Sequence, residues 1–170
     1  NEDGRMARLD DLFKFSKKHR IKIASIADII SYRLKNEKLI TKFYSKSVEI
    51  NNIKNIQLSV YKNKLNKYKS YAISKGKFKN NKSIAVRVLS KRVNKNCLYD
   101  KEIKQNIKLL TKYKNFILVI INNDLSKKKR NTDFTLRYYG IGAQILKDFN
   151  IKNMILLSRT KKKIISLEGF

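Results

Sequence analysis

Apolar residues recur along this chain with two different periods, and the change of period divides it. Leu9, Leu12 and Phe13 share one helical face. Asp10 and Asp11 suit the N-terminus of that helix, where the macrodipole favours negative charge, and Lys17 and Lys18 suit its last turn. Asn1-Glu-Asp-Gly4 ahead of it is turn chemistry. Ile21 and Ile23 alternate with lysines and predict a short strand, after which Ile26, Ile29, Ile30 and Leu34 return to helical spacing. Residues 36–45 are polar and predict a domain boundary.

Beyond that boundary the pattern turns to β. Val48–Ile50, Ile56–Tyr61, Ser70–Ile73 and Ile84–Leu89 are β-branched or aromatic runs separated by Asn, Lys and Gly, which predicts an antiparallel sheet with one polar face. After residue 100, helix and strand alternate. Ile103, Ile107 and Leu110 line one helical face, Phe116–Ile121 reads as a buried strand, and residues 122–132 as a polar loop. A helix from about residue 134 to 148 and a strand at Met154–Leu157 follow. The expected fold is α+β, with antiparallel strands in the middle and helix–strand alternation towards the C-terminal end.

Composition narrows the chemistry. The apolar content of 42% is enough for a core. The six-residue run Phe116–Ile121 is far short of the roughly 20 residues that span a bilayer. With no leader-like segment ahead of the first helix, a soluble cytoplasmic protein without membrane association is expected. Cys97 and His19 are the single members of their kinds, which leaves no internal disulfide and no ordinary four-ligand zinc site. Cys97 reads as a small core or surface residue.

The net charge of +28 admits two readings. One is a genome rich in Lys, Asn and Ile codons filling exposed positions, favoured because the lysines form no clear stripe in the sequence. The other is a module for nucleic acid or another polyanion, in which Tyr61, Tyr68 and Tyr71 stack on bases while lysines hold phosphates. Any such affinity is expected to be non-specific.

Two stretches carry a family resemblance. Asn1-Glu-Asp-Gly-Arg-Met-Ala-Arg8 and Ile26-Ala-Asp-Ile-Ile-Ser-Tyr-Arg33 resemble the C-terminal end of 3,4-dihydroxy-2-butanone-4-phosphate synthase. Leu136-Arg-Tyr-Tyr-Gly-Ile-Gly-Ala-Gln-Ile-Leu146, Leu167-Glu-Gly-Phe170 and residues 84–90 resemble GTP cyclohydrolase II as fused in bifunctional riboflavin-biosynthesis proteins. Residues 45–83 and 93–132 match that family in element order alone. The resemblance implies a synthase end at residues 1–40 and a cyclohydrolase II-like domain at 41–170, both truncated. The parent chain would make 3,4-dihydroxy-2-butanone 4-phosphate from ribulose 5-phosphate, with the magnesium residues upstream, and would form a homodimer.

The resemblance also implies a damaged cyclohydrolase centre. Members of that family hold zinc with three cysteines in a Cys-x10-Cys-x-Cys pattern that begins directly after Arg-Val-His-Ser-Glu. Here the motif runs Arg87-Val-Leu-Ser90, with Lys91 and Arg92 where Glu and the first Cys belong, so zinc is expected to be lost. Thr135 replaces the family's proton-accepting Asp, and a threonine hydroxyl does not ionise near neutral pH. Asp133 would lie about 200° away around a helix and is a poor substitute. Arg137 matches the family arginine, as a residual phosphate ligand or as a helix-surface residue. The glycine loop that cradles GTP phosphates has become Asn122-Asn-Asp-Leu-Ser-Lys-Lys-Lys129. Arg87, Ser90, Ser158 and Lys163 remain as residual nucleotide contacts, enough for weak GTP binding and not for turnover.

Overall fold

The computed structural model describes residues 4–64, 68–78, 84–93, 97–122 and 132–158. Two helices lead the chain, α1 (Leu9–His19) and α2 (Ile26–Asn36). Each closes its N-terminus with an acidic side chain at its third position. Asp11 accepts from the Arg8 N–H at 3.0 Å, and Asp28 accepts from the Ser25 N–H and hydroxyl while Ser25 Oγ accepts from the Asp28 N–H. Between the helices, Ile21 and Ile23 form no strand. The alternation is present, but no neighbouring strand pairs with it, and both side chains are exposed.

Six strands form one mixed sheet in the order β1-β2-β3-β5-β4-β6. They are β1 (Ile40–Ile50), β2 (Ile53–Asn63), β3 (Lys69–Lys75), β4 (Ile84–Lys91), β5 (Phe116–Asn122) and β6 (Met154–Leu156). β1, β2, β3 and β5 pair antiparallel, whereas β5, β4 and β6 run parallel. Asn51 and Asn52 both take positive φ in the tight turn joining β1 to β2, a conformation Asn tolerates. β1 starts at Ile40, inside the stretch expected to be a polar boundary, and Leu39 and Ile40 are buried.

Helices α3 (Lys101–Leu110) and α4 (Thr132–Asp148) cover opposite faces of the sheet. Ile103, Ile107 and Leu110 of α3 pack with Leu58, Ile73, Phe116, Leu118 and Ile120. Ile141, Ile145 and Leu146 of α4 pack with Tyr61, Val86, Ile117, Val119 and Ile121. Being covered on both faces makes β5 apolar from Phe116 to Ile121, as parallel strands with helices on each side require. α2 rests on α4 rather than on the sheet. No helix among the described residues is long and apolar enough to cross a membrane.

Candidate functional site

In open sheets with parallel strands, ligands meet the crevice beyond the carboxyl ends of those strands. Here that edge is built from the ends of β4, β5 and β6 and from the N-terminus of α3. Asp100 is the N-cap of α3, its carboxylate accepting from the Ile103 N–H at 3.1 Å.

Lys91, the last residue of β4, extends to the start of α3. Its ammonium lies 2.7 Å from Asp100 Oδ2 and 3.0 Å from Glu102 Oε2, and all three side chains are partly buried. Burial pushes the Lys91 ammonium down, but its hydrogen bonds to the two carboxylates outweigh that and leave its pKa raised. Burial likewise pushes Asp100 up, while the Lys91 ammonium and the Ile103 N–H hold it below the ordinary carboxylate value. Arg92, at the expected first zinc position, is exposed.

These residues do not fit a zinc ion. A guanidinium cannot ligate a cation, and the Asp100 and Glu102 carboxylates at the start of α3 are already bonded to the Lys91 ammonium. Among the described residues, no group of three or more His, Cys, Asp or Glu side chains converges. Signals for the Lys91 contact were present in the sequence, since Asp100 and Glu102 stand where a helix start favours acids, yet nothing there pointed to Lys91 as their partner.

The residual nucleotide set is only partly brought together. Arg87 lies opposite Leu118 on the α3 side of β4 and is half-buried. Its Nε is buried without a hydrogen-bond partner among the described residues, and its Nη1 reaches the Leu157 carbonyl at 3.5 Å. Ser90, three residues on, pairs with Ile121 and faces the α4 side, as strand alternation demands. Ser158 is exposed just past β6. Thr135, Arg137 and Asp133 fall in the first two turns of α4, and their side chains lie outside the described residues, as do Lys163 and the 123–131 loop. Gly142 packs α4 on the sheet: a Cβ there would meet Ile121 at 3.5 Å and Val88 at 3.9 Å.

The tyrosine set expected to stack on bases is not one surface. Tyr61 is 1% exposed under α4, its hydroxyl donating to Asp148 at 2.8 Å, so its ring is closed to a ligand. Tyr71 is partly buried and Tyr68 exposed. The partner of Tyr61 is 87 residues away, beyond the reach of local pattern.

Comparison with known proteins agrees with this architecture. Residues 97–170 match the GTP cyclohydrolase II family. The riboflavin biosynthesis protein RibBA of Aquifex aeolicus is 31% identical, over 99% of this chain and 49% of its own length. The 3,4-dihydroxy-2-butanone 4-phosphate synthase of Photobacterium phosphoreum is 29% identical, over 100% of this chain and 52% of its own. Among solved structures, RibBX, a two-domain 3,4-dihydroxy-2-butanone 4-phosphate synthase from A. baumannii, superposes with a TM-score of 0.73 at 29% identity. That match covers 100% of this chain and 49% of the other. The chain therefore spans about half the length of the relatives it matches. From end to end it is a relative of the riboflavin-biosynthesis proteins, with the GTP cyclohydrolase II pattern in residues 97–170.

Proposed function

We propose that this chain belongs to a cytoplasmic protein whose synthase half makes 3,4-dihydroxy-2-butanone 4-phosphate from ribulose 5-phosphate, and whose cyclohydrolase II-like half no longer opens the guanine ring. In this reading residues 1–40 complete the synthase domain, where magnesium chemistry resides, and residues 41–170 form a domain that packs, dimerises or regulates. One observation carries it: the Lys91 ammonium is already bonded to Asp100 and Glu102 beside the position where the related enzymes begin their zinc site. An ammonium bonded to both carboxylates competes with a metal ion for their oxygens and supplies no water of lowered pKa. Thr135 in place of the proton acceptor supports the same conclusion.

The apolar faces of α1 and α2 support the division. Leu9, Leu12, Phe13, Ile26 and Ile29 are all exposed, and no residue of α1 is buried. A helix pair of this kind is suited to packing within a larger synthase domain. Arg87, with its unpartnered Nε, supports a remaining weak contact with GTP phosphates or base, together with Ser90, Ser158, Lys163 and Arg137.

The test is to assay the full-length protein for both reactions and for bound metal. Turnover of ribulose 5-phosphate is expected, with formate release from GTP at background and no stoichiometric zinc. One tightly bound zinc per chain together with formate release would overturn the reading.

A further inference from the structure

Strand β1 presents two neighbouring aromatic rings to solvent on the same side of the sheet, which a regular strand cannot do. Successive side chains of a strand point to opposite faces. A register shift between Lys42 and Tyr44 breaks that alternation at Phe43. Tyr44 lies opposite Val60, a member of the α3-side core. The Phe43 and Tyr44 rings come together edge to face, with centroids 5.6 Å apart. Phe43 is 51% exposed, and Tyr44 and Tyr68 are exposed as well. Bulges of this kind re-aim side chains, and an exposed phenyl ring gains nothing from water.

The cations around these rings are equally unusual. Lys62 and Lys69 are directly paired across β2 and β3, an arrangement that costs energy through like-charge repulsion. Both ammonium groups converge on the Phe43 ring, at 3.7 Å and 5.4 Å from its centroid. Lys46 lies further along β1 on the same face, opposite Leu58 of the α3-side core. Glu49 is the single acidic residue between Ile40 and Lys75. The fold thus creates here the basic and aromatic cluster that the evenly spread lysines of the sequence do not display.

We infer that the Phe43–Tyr44 ledge, with Lys62, Lys69 and Lys46, is a binding surface for single-stranded nucleic acid. Phosphates take the ammonium groups of Lys62 and Lys69, and the ring faces these leave receive unstacked bases. The cation–π contact given up at an exposed site is smaller than the stacking gained per base. A duplex cannot offer its base faces to the rings. A second copy of this chain would set one lysine pair against another.

Binding is read by fluorescence anisotropy of a labelled oligouridylate of about 12 nucleotides, against a duplex of equal length and against inorganic polyphosphate. Phe43→Ala with Tyr44→Ala should weaken oligouridylate binding about tenfold and change polyphosphate binding less than about twofold. Phe43→Trp should restore affinity. Lys62→Ala with Lys69→Ala should weaken both ligands and flatten the salt dependence by about 1.4 in log–log slope, two single-strand phosphates' worth. Lys108→Ala with Lys112→Ala, on the exposed side of α3 and the turn after it, removes the same charge elsewhere and should do neither. The inference is overturned if the double aromatic variant binds oligouridylate as wild type does, or if the duplex binds as tightly. It is also overturned if the α3 pair matters as much as Lys62 and Lys69, which would mean diffuse charge. Loss of self-association in the aromatic variant without loss of oligouridylate binding would assign the ledge to a second copy instead.

Discussion

The side-chain amide of Gln144 holds the backbone of Leu39 from across the fold. Its Oε1 accepts from the Leu39 N–H at 3.0 Å, and its Nε2 donates to the Glu37 carbonyl at 2.7 Å. One residue of α4 thereby fixes the chain as it leaves α2 and enters β1. Gln144 lies in the Gly-Ile-Gly-Ala-Gln-Ile-Leu stretch that resembles the cyclohydrolase family, and its visible role here is to brace the connection between α2 and β1.

Gln144→Ala should therefore destabilise the protein by about 1–3 kcal/mol, because a buried N–H loses its acceptor. Gln144→Glu keeps the acceptor for Leu39 but turns a carboxylate oxygen towards the Glu37 carbonyl. Its loss should be larger at neutral pH and should shrink on acidification, when a protonated Glu can donate. Urea denaturation of both variants at two pH values checks this.

Tyr61 and Asp148 make stability depend on pH at both ends of the scale. Burial, reinforced by the Asp148 carboxylate, raises the Tyr61 hydroxyl far above its ordinary value. Burial also pushes Asp148 up, but hydrogen bonds from Lys42, at 2.6 Å, and from Tyr61 outweigh it and leave that carboxyl lowered. A lowered folded pKa gives stability that is present above the unfolded carboxylate value and lost as pH falls through the folded one. A raised tyrosine gives stability that is full below its unfolded value, about 10, and declines as pH rises above it. Tyr61→Phe should remove the alkaline decline and cost about 2 kcal/mol at neutral pH through the lost charge-assisted bond. Melting curves across pH decide it: an alkaline limb unchanged in Tyr61→Phe would place its origin elsewhere.

The elements covered by helices were the ones legible in the sequence. Ile103, Ile107 and Leu110 are spaced for one helical face and all three are buried; Phe116–Ile121 is apolar throughout because α3 and α4 cover it from both sides. The first half of β1 was not legible. Thr41 to Ser47 belong to an edge strand left exposed, so no alternation marks them. Ile21 and Ile23 alternate without a strand to pair with, and period alone could not show that. The Lys91–Asp100–Glu102 contact and the burial of Tyr61 depend on tertiary approach, which spacing does not encode.

Gly76 should tolerate no side chain. Its φ of +100° lies where L residues are strained, and a Cβ there would collide with the Asn115 side chain, which accepts from the Lys77 N–H at 3.3 Å. Gly76→Ala should cost more than about 1 kcal/mol. Adding Asn115→Ala should recover only part of this, since the collision is relieved but the backbone strain stays. Full recovery in the double variant would show that φ contributes nothing.

Thr135→Asp should leave formate release from GTP at background. Ring opening needs a metal-bound nucleophile, a proton acceptor and a phosphate cradle acting together, and restoring one member of a group that acts as a unit recovers little. Formate from this variant well above a metal-free control would mean that Arg92 and Thr135 are wrongly matched to the family's positions.

Lys91→Ala should expose what the ammonium at the end of β4 does. In the native protein it lies between Asp100 and Glu102 and, with the Ile103 N–H, holds Asp100 below the ordinary carboxylate value although burial pushes the other way. Removing it leaves two carboxylates facing each other at the start of α3. The expected loss is about 1 kcal/mol near neutral pH, kept small by solvent at the partly exposed pair. The sign of its pH dependence follows from the lowered Asp100: the native stabilisation exists above the unfolded carboxylate value and fades as pH falls through the folded one. Wild type and variant should therefore converge on acidification and differ most near pH 7. High salt should narrow the gap at neutral pH as well, since screening weakens both the native attraction and the repulsion left behind. If the gap were instead constant from neutral to acid pH, the lysine would be acting through the packing of its aliphatic stem. Its charge would then have no part in holding Asp100 and Glu102 away from a metal ion.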